Sequence, residues 1–334
     1  MVCGCYRAGT TSMAAALNRH KDIFCTSELD FFDPGNEGPQ IRKRMLRYWK
    51  TYPKAEDGSF IPSQDEQHGL PEQDKYLDTE GFFKELETDE KFDKKNFVGL
   101  VNKYRSEKPK IYGDKLPNYI FRIQDRFDYC KDFFKIYPKV IFMYRDPRDV
   151  IESQVRSYWR ARFNGASHKQ IMMDMGHRRP DWNKCLLIRP NWKDYMYAWN
   201  VFKDEYEMDY FELRYERLLI EPTKVALELS EFLKVDKKEM EEVMIFHFSK
   251  GRSNIGKWKE IYPELTDYLP KNWVTMMREY GIPYEIISAD ANAITLDSIK
   301  TIEYLYSTNY GADSIFEPIN VNTEPEGLGD GKDA

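Results

Sequence analysis

The feature that most restricts the fold of this chain is a glycine-rich turn close to its start. Residues 4–12 read Gly-Cys-Tyr-Arg-Ala-Gly-Thr-Thr-Ser, between a short apolar run and a helical pattern. A strand that leads through such a turn into a helix places backbone N–H groups and the positive end of the helix dipole around an anion. The turn therefore predicts an α/β protein with a phosphate site after its first strand. The alternative is that Gly-Thr-Thr-Ser is only a capped helix start.

The cation of this turn stands at an unusual position for a nucleotide-binding loop. In the loop of nucleoside triphosphatases, G-x4-G-K-[ST], a lysine after the second glycine reaches the β- and γ-phosphates, and the next hydroxyl holds magnesium. Here Gly4 and Gly9 have that spacing, but Thr10 and Thr11 follow, and the basic residue is Arg7. The change favours a shorter anionic group and a reaction that needs no metal.

The rest of the chain alternates apolar runs with helical patterns. Alternation of this kind predicts an α/β fold in which a three-layer parallel β-sheet is flanked by helices, with right-handed crossovers. The predicted strands cover residues 2–6, 22–25, 139–144 and 210–215, and the predicted helices cover 10–19, 146–162 and 222–233. We expect one domain over residues 1–285. The weakly patterned stretches 35–110 and 163–200 are expected to be acceptor-binding insertions of helices and loops, and residues 286–334 a C-terminal extension with a disordered end.

The composition of the chain indicates in which cell compartment and with which partners the protein is expected. The chain has 334 residues, of which 41% are hydrophobic and 32% are charged, and it has no apolar run of about 18 residues that could span a membrane. Its five cysteines form no C-x-x-C pair, and we find neither a signal peptide nor an N-x-[ST] sequon. These observations predict a cytoplasmic protein, although its native amino terminus could lie further upstream. The net charge of −6 argues against general nucleic-acid binding, and no membrane partner is expected. Oligomeric state cannot be read from the sequence.

A second candidate phosphate element follows the predicted strand 139–144. Arg145 stands at the carboxyl end of that strand, where open α/β sheets bind ligands. Ser153 falls two turns into the following helix and can face back toward Arg145. A guanidinium group and a hydroxyl suit a terminal phosphate. The alternative is an ion pair between Arg145 and either Asp146 or Asp149.

With both elements, the chain resembles the sulfotransferases that use 3′-phosphoadenosine 5′-phosphosulfate (PAPS). In that family a [KR]-x-G-T-T-[SA] loop holds the 5′-phosphosulfate, and an R-[DN]-P-x5-S segment holds the 3′-phosphate. The first motif matches Arg7, Ala8, Gly9, Thr10, Thr11 and Ser12, and the second matches Arg145 and Ser153. The resemblance covers about residues 1–262. It implies a P-loop-like sulfotransferase fold, PAPS as cofactor, adenosine 3′,5′-bisphosphate (PAP) as product, and no metal.

Two further segments of the chain resemble the catalytic regions of this family. Residues 27–33, Ser-Glu-Leu-Asp-Phe-Phe-Asp, resemble the K-E-x-x-F-F-D segment of the heparan-type carbohydrate sulfotransferases, in which the glutamate is the catalytic base. The resemblance implies this role for Glu28, although Ser27 replaces a common lysine. Residues 113–119, Gly-Asp-Lys-Leu-Pro-Asn-Tyr, resemble G-[ED]-K-x-x-x-Y, which implies that Lys115 lies near the transferred group.

The family resemblance extends more loosely to the cofactor contacts late in the chain. Residues 252–259 resemble the loop that closes over the 3′-phosphate, which assigns Arg252 and Gly256 to the cofactor. Tyr215 and Glu216, followed by Pro222, fit a strand–loop–helix unit of the family and assign Tyr215 as well. The alternative for this unit is packing of the fold.

The sequence thus predicts transfer of a sulfuryl group from PAPS to an acceptor hydroxyl or amine, with a carbohydrate favoured as acceptor. The predicted catalytic residues are Glu28, Lys115 and Arg7. None of the five histidines stands in a turn like that of Lys115, so a histidine base is less favoured. Two alternatives remain: an ATP-dependent small-molecule kinase with a degenerate P-loop, and a non-catalytic binder of nucleotides or glycans. The identity of the acceptor, and the choice between O- and N-sulfation, cannot be read from the sequence.

Overall fold

The protein is built around a sheet of five parallel strands. The computed structural model describes residues 1–51, 74–162, 190–249, 255–262 and 265–283. The strands are β1 (Val2–Gly4), β2 (Ile23–Ser27), β3 (Ile111–Lys115), β4 (Val140–Tyr144) and β5 (Tyr210–Arg214). They lie side by side in the order β2-β3-β1-β4-β5, and every neighbouring pair is parallel.

Helices cover both faces of this sheet. Every residue of β1, β2 and β4 is buried, which requires a packed layer on each side. On one face, the Trp199 ring stacks on Phe142 with 4.2 Å between centroids. The prediction of an α/β fold with a parallel sheet between helical layers is confirmed.

The helices are numbered here through the described residues. The first six are α1 (Thr10–Asn18), α2 (Gly38–Thr51), α3 (Thr79–Thr88), α4 (Lys94–Tyr104), α5 (Ile123–Tyr129) and α6 (Pro147–Arg162). The later ones are α7 (Trp192–Glu205), α8 (Tyr215–Ile220), α9 (Pro222–Leu233), α10 (Lys237–Phe248), α11 (Lys257–Ile261), α12 (Leu265–Tyr268) and α13 (Lys271–Glu279). A 3₁₀ turn (Pro117–Arg122) precedes α5, and a π turn (Cys130–Phe134) follows it. None of the described helices has both the length and the apolar character needed to cross a bilayer.

Strand β3 lies inside the sheet, between β2 and β1, where the sequence predicted only a turn. The strand reads Ile-Tyr-Gly-Asp-Lys, and glycine, aspartate and lysine are all depleted in strands. It nevertheless pairs with β2 over five residues and with β1 at Lys115. Asp114 has several buried hydrogen-bond partners and Lys115 pairs with Glu28, so tertiary contacts override the weak strand propensity of β3.

The predicted insertions and extension are covered only in part. Between residues 35 and 110 the structure has helices α2, α3 and α4. They do not only surround the core, because Phe82, Phe83 and Phe97 bury their side chains in it. Residues 52–73, 163–189 and 284–334, and with them most of the second insertion and the C-terminal extension, lie outside the described residues. The four cysteines in the described ranges, Cys3, Cys5, Cys25 and Cys130, are buried and free, and Cys185 lies outside these ranges.

Candidate functional site

The carboxyl edge of the sheet gathers the predicted site residues. Five of them stand at or shortly after the carboxyl ends of the strands, and from β2 to β5 they follow in the order Glu28, Lys115, Arg7, Arg145, Tyr215. Because parallel strands end at one common edge, residues far apart in sequence become neighbours there. This edge is also where open α/β sheets bind their ligands.

Steric limits fix both glycines of the β1–α1 turn. Gly4 has a φ of 140°, and a Cβ atom on it would lie 1.9 Å from the carbonyl oxygen of Met143 in β4. Gly9 has a φ of 84°, and its Cβ would lie 2.4 Å from the Tyr215 ring. The close approach of the turn to β4 and to Tyr215 therefore requires glycine at both positions.

The remaining turn residues lie at the amino end of α1. Ala8 and Thr10 are buried, Thr11 and Ser12 are half-buried in the first turn of the helix, and Gly9 is its N-cap residue. No acidic residue stands in that turn, so the dipole of α1 keeps its favourable field for an anion.

The two predicted phosphate elements contact each other. Arg7 donates from Nε to Ser153 Oγ at 3.0 Å, and Arg145 donates from Nη1 to the Arg7 carbonyl oxygen at 3.3 Å. The Arg145 guanidinium lies over the Tyr215 ring, 4.8 Å from its centroid. These contacts bring together four predicted cofactor residues, Arg7, Ser153, Arg145 and Tyr215.

Asp149 connects this cluster to a late segment of the chain. Its carboxylate lies 3.7 Å from Arg145 Nη2 and accepts hydrogen bonds from the N–H groups of Gly256 (2.8 Å) and Trp258 (3.4 Å). Burial raises the pKa of Asp149 to about 6, although Arg145 opposes the shift. Gly256 is thus placed beside the Arg145 cluster through Asp149, and Arg252 lies outside the described residues. The ion pair considered as the alternative for Arg145 is present too.

Glu28 and Lys115 form a close ion pair at the other end of the edge. Lys115 Nζ donates to Glu28 Oε1 at 2.6 Å; the lysine side chain is fully buried, whereas 37% of the glutamate side chain is exposed. Lys115 was expected in a turn, but it is the last residue of β3. The Glu28 carboxylate is therefore partly exposed to solvent and is held in place by the buried Lys115 ammonium group.

Backbone strain is concentrated at this edge. Five described non-glycine residues have a positive φ, and two of them, Lys135 and Lys234, are helix C-caps, where the conformation is common. The other three are Arg7, Glu28 and Asp30, with φ of 63°, 59° and 54°. Left-handed backbone costs such residues about 1–2 kcal/mol each, and strain of this kind clusters at functional sites.

The sequence model of the sulfotransferase family matches residues 1–239 of this chain. The chain belongs to the sulfotransferase family. None of the curated proteins matches it in sequence.

Several solved sulfotransferases are structurally similar to the chain. The sulfotransferase domain of the Synechococcus PCC 7002 olefin synthase is 16% identical over 92% of this chain and 94% of its own, with a TM-score of 0.45. The sulfotransferase domain from the curacin biosynthetic pathway is 17% identical over 85% and 97%, with a TM-score of 0.47. A sulfotransferase from Alicyclobacillus acidocaldarius is 16% identical over 85% and 95%, with a TM-score of 0.43.

Asp114 is a residue of the candidate site whose role sequence reasoning missed. It is fully buried and accepts hydrogen bonds from Thr26 Oγ1, from Tyr119 Oη, and from the N–H groups of Leu29 and Phe31. Burial raises the pKa of this carboxyl. Asp114 thereby fixes the segment that carries Glu28. Its place in the Gly-Asp-Lys motif was the available signal.

The two histidines in the described ranges, His20 and His247, have contacts typical of structural residues rather than of a catalytic base. His20 is fully buried; its Nδ1 accepts from the Asp22 N–H, and its Nε2 contacts the Asp236 carbonyl oxygen. Burial lowers the pKa of His247 to about 4. The remaining three, His68, His168 and His177, lie outside the described residues. Within the described ranges, no three His, Cys, Asp or Glu side chains are arranged to hold a metal ion.

Proposed function

We propose that this sulfotransferase moves a sulfuryl group from PAPS to a hydroxyl or amine of an acceptor, and that the acceptor is a carbohydrate. The observation that carries the proposal is the direct contact between the Arg7 turn and the Arg145–Ser153 helix. Two anion-binding elements side by side suit a nucleotide with phosphate groups at two positions, which is the distinguishing feature of PAPS.

The residues at the sheet edge fit such a nucleotide. The turn Arg7–Ser12 would hold the 5′-phosphosulfate through its backbone N–H groups, the α1 dipole and the Arg7 side chain. Arg145 and Ser153 would hold the 3′-phosphate, with Tyr215, Gly256 and Arg252 beside them. In support, two contacts orient the Arg145 guanidinium group: it lies over the Tyr215 ring, and it forms an ion pair with Asp149.

When bound, PAPS would supply the sulfuryl group and leave as PAP. Glu28 would accept the proton of the acceptor hydroxyl, because its carboxylate is exposed on one side and held by Lys115 on the other. Lys115 and Arg7 would stabilise the negative charge that develops on the leaving phosphate oxygen. No metal is needed for these roles, since side-chain cations supply the positive charge.

The preference for a carbohydrate rests on the segment around Glu28. The segment resembles that of the carbohydrate-specific branch with a glutamate base. Asp114 accepts hydrogen bonds from two of its N–H groups, and Asn36 Nδ2 donates to the carbonyl oxygen of Asp30. A fixed base beside an open cleft suits an acceptor with several similar hydroxyl groups, of which one must be selected.

Calorimetric titration with PAP, followed by transfer from radiolabelled PAPS to a panel of glycans, alcohols and amines, tests the proposal. We expect tight PAP binding and transfer without added metal. An absence of heat with folded protein would overturn it. Magnesium-dependent consumption of ATP would identify the kinase alternative instead, and PAP binding without transfer to any acceptor would identify a non-catalytic binder.

A further inference from the structure

A cleft of about 650 Å³ is lined by residues that closely follow Glu28 and Lys115 in the chain. Its described lining consists of Asp30, Asp33, Leu116, Asn118, Phe121, Arg122, Arg126, Pro190 and Asp194. Asp30 lies two residues after Glu28, and Leu116 directly follows Lys115. Asn118 donates to the hydroxyl of Tyr6, the neighbour of Arg7. Burial raises the pKa of Tyr6, and the Glu28 charge adds to this rise. The cleft therefore adjoins both the expected base and the phosphate turn.

The cations of this cleft already have carboxylate partners. Arg126 is almost fully buried, and its Nη2 lies 3.2 Å from Asp30 Oδ1 and 3.1 Å from Asp33 Oδ2. Arg122 pairs with Asp125 at 2.9 Å and with Asp33 at 3.6 Å. The described lining as a whole has three carboxylates against two guanidinium groups. An anionic group on an acceptor would therefore meet no excess positive charge here.

The described lining also includes apolar and aromatic side chains, Leu116, Pro190 and Phe121. The Phe121 side chain is 40% exposed, and its ring packs 4.8 Å from that of Tyr195. Tyr195 in turn makes an edge contact with Tyr6 at 5.6 Å and donates through its hydroxyl to Asn118. Hydrogen bonds and ring contacts thus hold a partly exposed aromatic surface in place next to the polar groups. Such a surface favours a ligand with an apolar face.

We infer that this cleft selects an uncharged acceptor with an apolar or aromatic portion beside its reactive hydroxyl, and that it disfavours polyanionic glycans. The inference rests on the proposed function, because it takes Glu28 to be the group that the acceptor approaches. It departs from the heparan-type resemblance of the Glu28 segment, whose named substrates are anionic chains.

A matched pair of probes tests the charge selection. Phenyl β-glucoside and phenyl β-glucuronide differ only in a hydroxymethyl group and a carboxylate, and their binding can be followed by saturation-transfer NMR with and without PAP. We expect the glucoside to bind at least about tenfold more tightly, a difference of about 1.4 kcal/mol. Equal binding, tighter binding of the glucuronide, or binding of neither compound would overturn the inference. Because the measurement needs no turnover, loss of PAP binding with intact glucoside selection would refute the proposed function alone.

Two substitutions locate the selection in the cleft. Asp33→Asn removes a carboxylate that pairs with both Arg126 and Arg122. The binding affinity for the glucuronide should therefore rise several-fold relative to that for the glucoside. The same change at the exposed Asp132, which is absent from the lining, alters net charge equally and should leave the ratio unchanged.

Phe121→Ala should weaken glucoside binding about three- to tenfold, and Phe121→Tyr should restore it. An unchanged ratio in Asp33→Asn together with unchanged affinity in Phe121→Ala would place the selectivity elsewhere.

Discussion

Lys115 donates a hydrogen bond to Glu28 across 2.6 Å, and the Glu28 N–H donates to the Lys115 carbonyl oxygen at the same distance. Lys115 is the last residue of β3, and Glu28 directly follows the neighbouring parallel strand β2. Their side chains differ sharply in exposure, since the lysine is fully buried and the glutamate is partly open to solvent. The pair therefore consists of a fixed cation and an accessible carboxylate, which is the arrangement that a proton acceptor next to a charged leaving group requires.

Glu28→Gln should abolish most of the turnover while leaving the nucleotide site intact. The amide keeps the shape of the side chain but cannot accept the acceptor's proton, so kcat should fall by about 10²- to 10⁴-fold. The dissociation constant of PAP should stay within about twofold, because the phosphate turn and Arg145 follow other strands. Steady-state kinetics and calorimetry check the two parts. The matched control is Glu37→Gln at an exposed position; near wild-type rates in Glu28→Gln would mean that another group is the base.

Arg145→Ala should weaken the binding of PAP far more than that of adenosine 5′-phosphate, which lacks the 3′-phosphate. A hydrogen bond to a charged group is worth about 1.5–3 kcal/mol, so we expect a loss of about 10- to 100-fold for PAP and little change for adenosine 5′-phosphate. Calorimetric titration of both ligands makes the comparison.

Removal of Arg145 also leaves the buried Asp149 without its cation, which could unfold the protein. The double variant Arg145→Ala/Asp149→Asn removes both charges and should recover stability in thermal unfolding while keeping the selective loss of PAP affinity. Equal losses for the two ligands in this variant would remove Arg145 from the 3′-phosphate site.

The sequence was sufficient to predict those parts of the site that depend on local geometry. The β1–α1 turn needs glycine where the backbone approaches β4 and Tyr215, and Arg145 and Ser153 keep a fixed helical spacing. Each motif occupies a short stretch of chain and so leaves a readable pattern, although the contacts that require Gly4 and Gly9 come from Met143 and Tyr215, far along the chain. The spacing also led to the prediction that the two segments face a common ligand, and the structure places them in contact.

Parts that depend on long-range partners could not be predicted. Strand β3 was missed because Asp114 and Lys115 disfavour strands. Apart from the bond from Tyr119, the hydrogen bonds that stabilise them involve residues more than 80 positions away. The link from Asp149 to Gly256 spans 107 positions and leaves no local signature. The pairing of Arg126 with Asp30 and Asp33, which decides the charge of the cleft, is likewise invisible in the sequence.

Gly9→Ala should destabilise the fold and weaken nucleotide binding together. The new Cβ would require a left-handed backbone, at a cost of about 1–2 kcal/mol, and would displace the Tyr215 ring, on which Arg145 lies. Gly99→Ala is the matched control, because this exposed glycine in α4 has no neighbour within 4 Å of its would-be Cβ. The free energy of unfolding of this control variant should rise by about 0.5–1 kcal/mol. Denaturant unfolding and PAP titration give both quantities, and a Gly9→Ala protein with wild-type stability and affinity would contradict the packing described here.

Asp149→Asn should change how stability depends on pH. Burial raises the pKa of Asp149 in the folded protein to about 6, compared with about 3.9 in an unfolded chain. Between these values the folded state binds more protons than the unfolded state, so the contribution of Asp149 to the free energy of unfolding falls as the pH rises through this window. A shift of about two units corresponds to about 3 kcal/mol, and the asparagine variant lacks this titration.

Denaturant unfolding of both proteins at pH 4 and pH 7 measures the effect of Asp149, because the contributions of all other groups are shared and cancel in the comparison. Relative to Asp149→Asn, the wild-type protein should lose about 2–3 kcal/mol of stability on going from pH 4 to pH 7. Asp125→Asn, at a side chain that is half exposed, controls for the chemical change itself. Parallel pH profiles for the wild type and Asp149→Asn would show that the carboxylate does not titrate in this window. Burial would then not govern its charge, and the ion pair with Arg145 together with the two N–H donors of the late segment would outweigh the cost of desolvation.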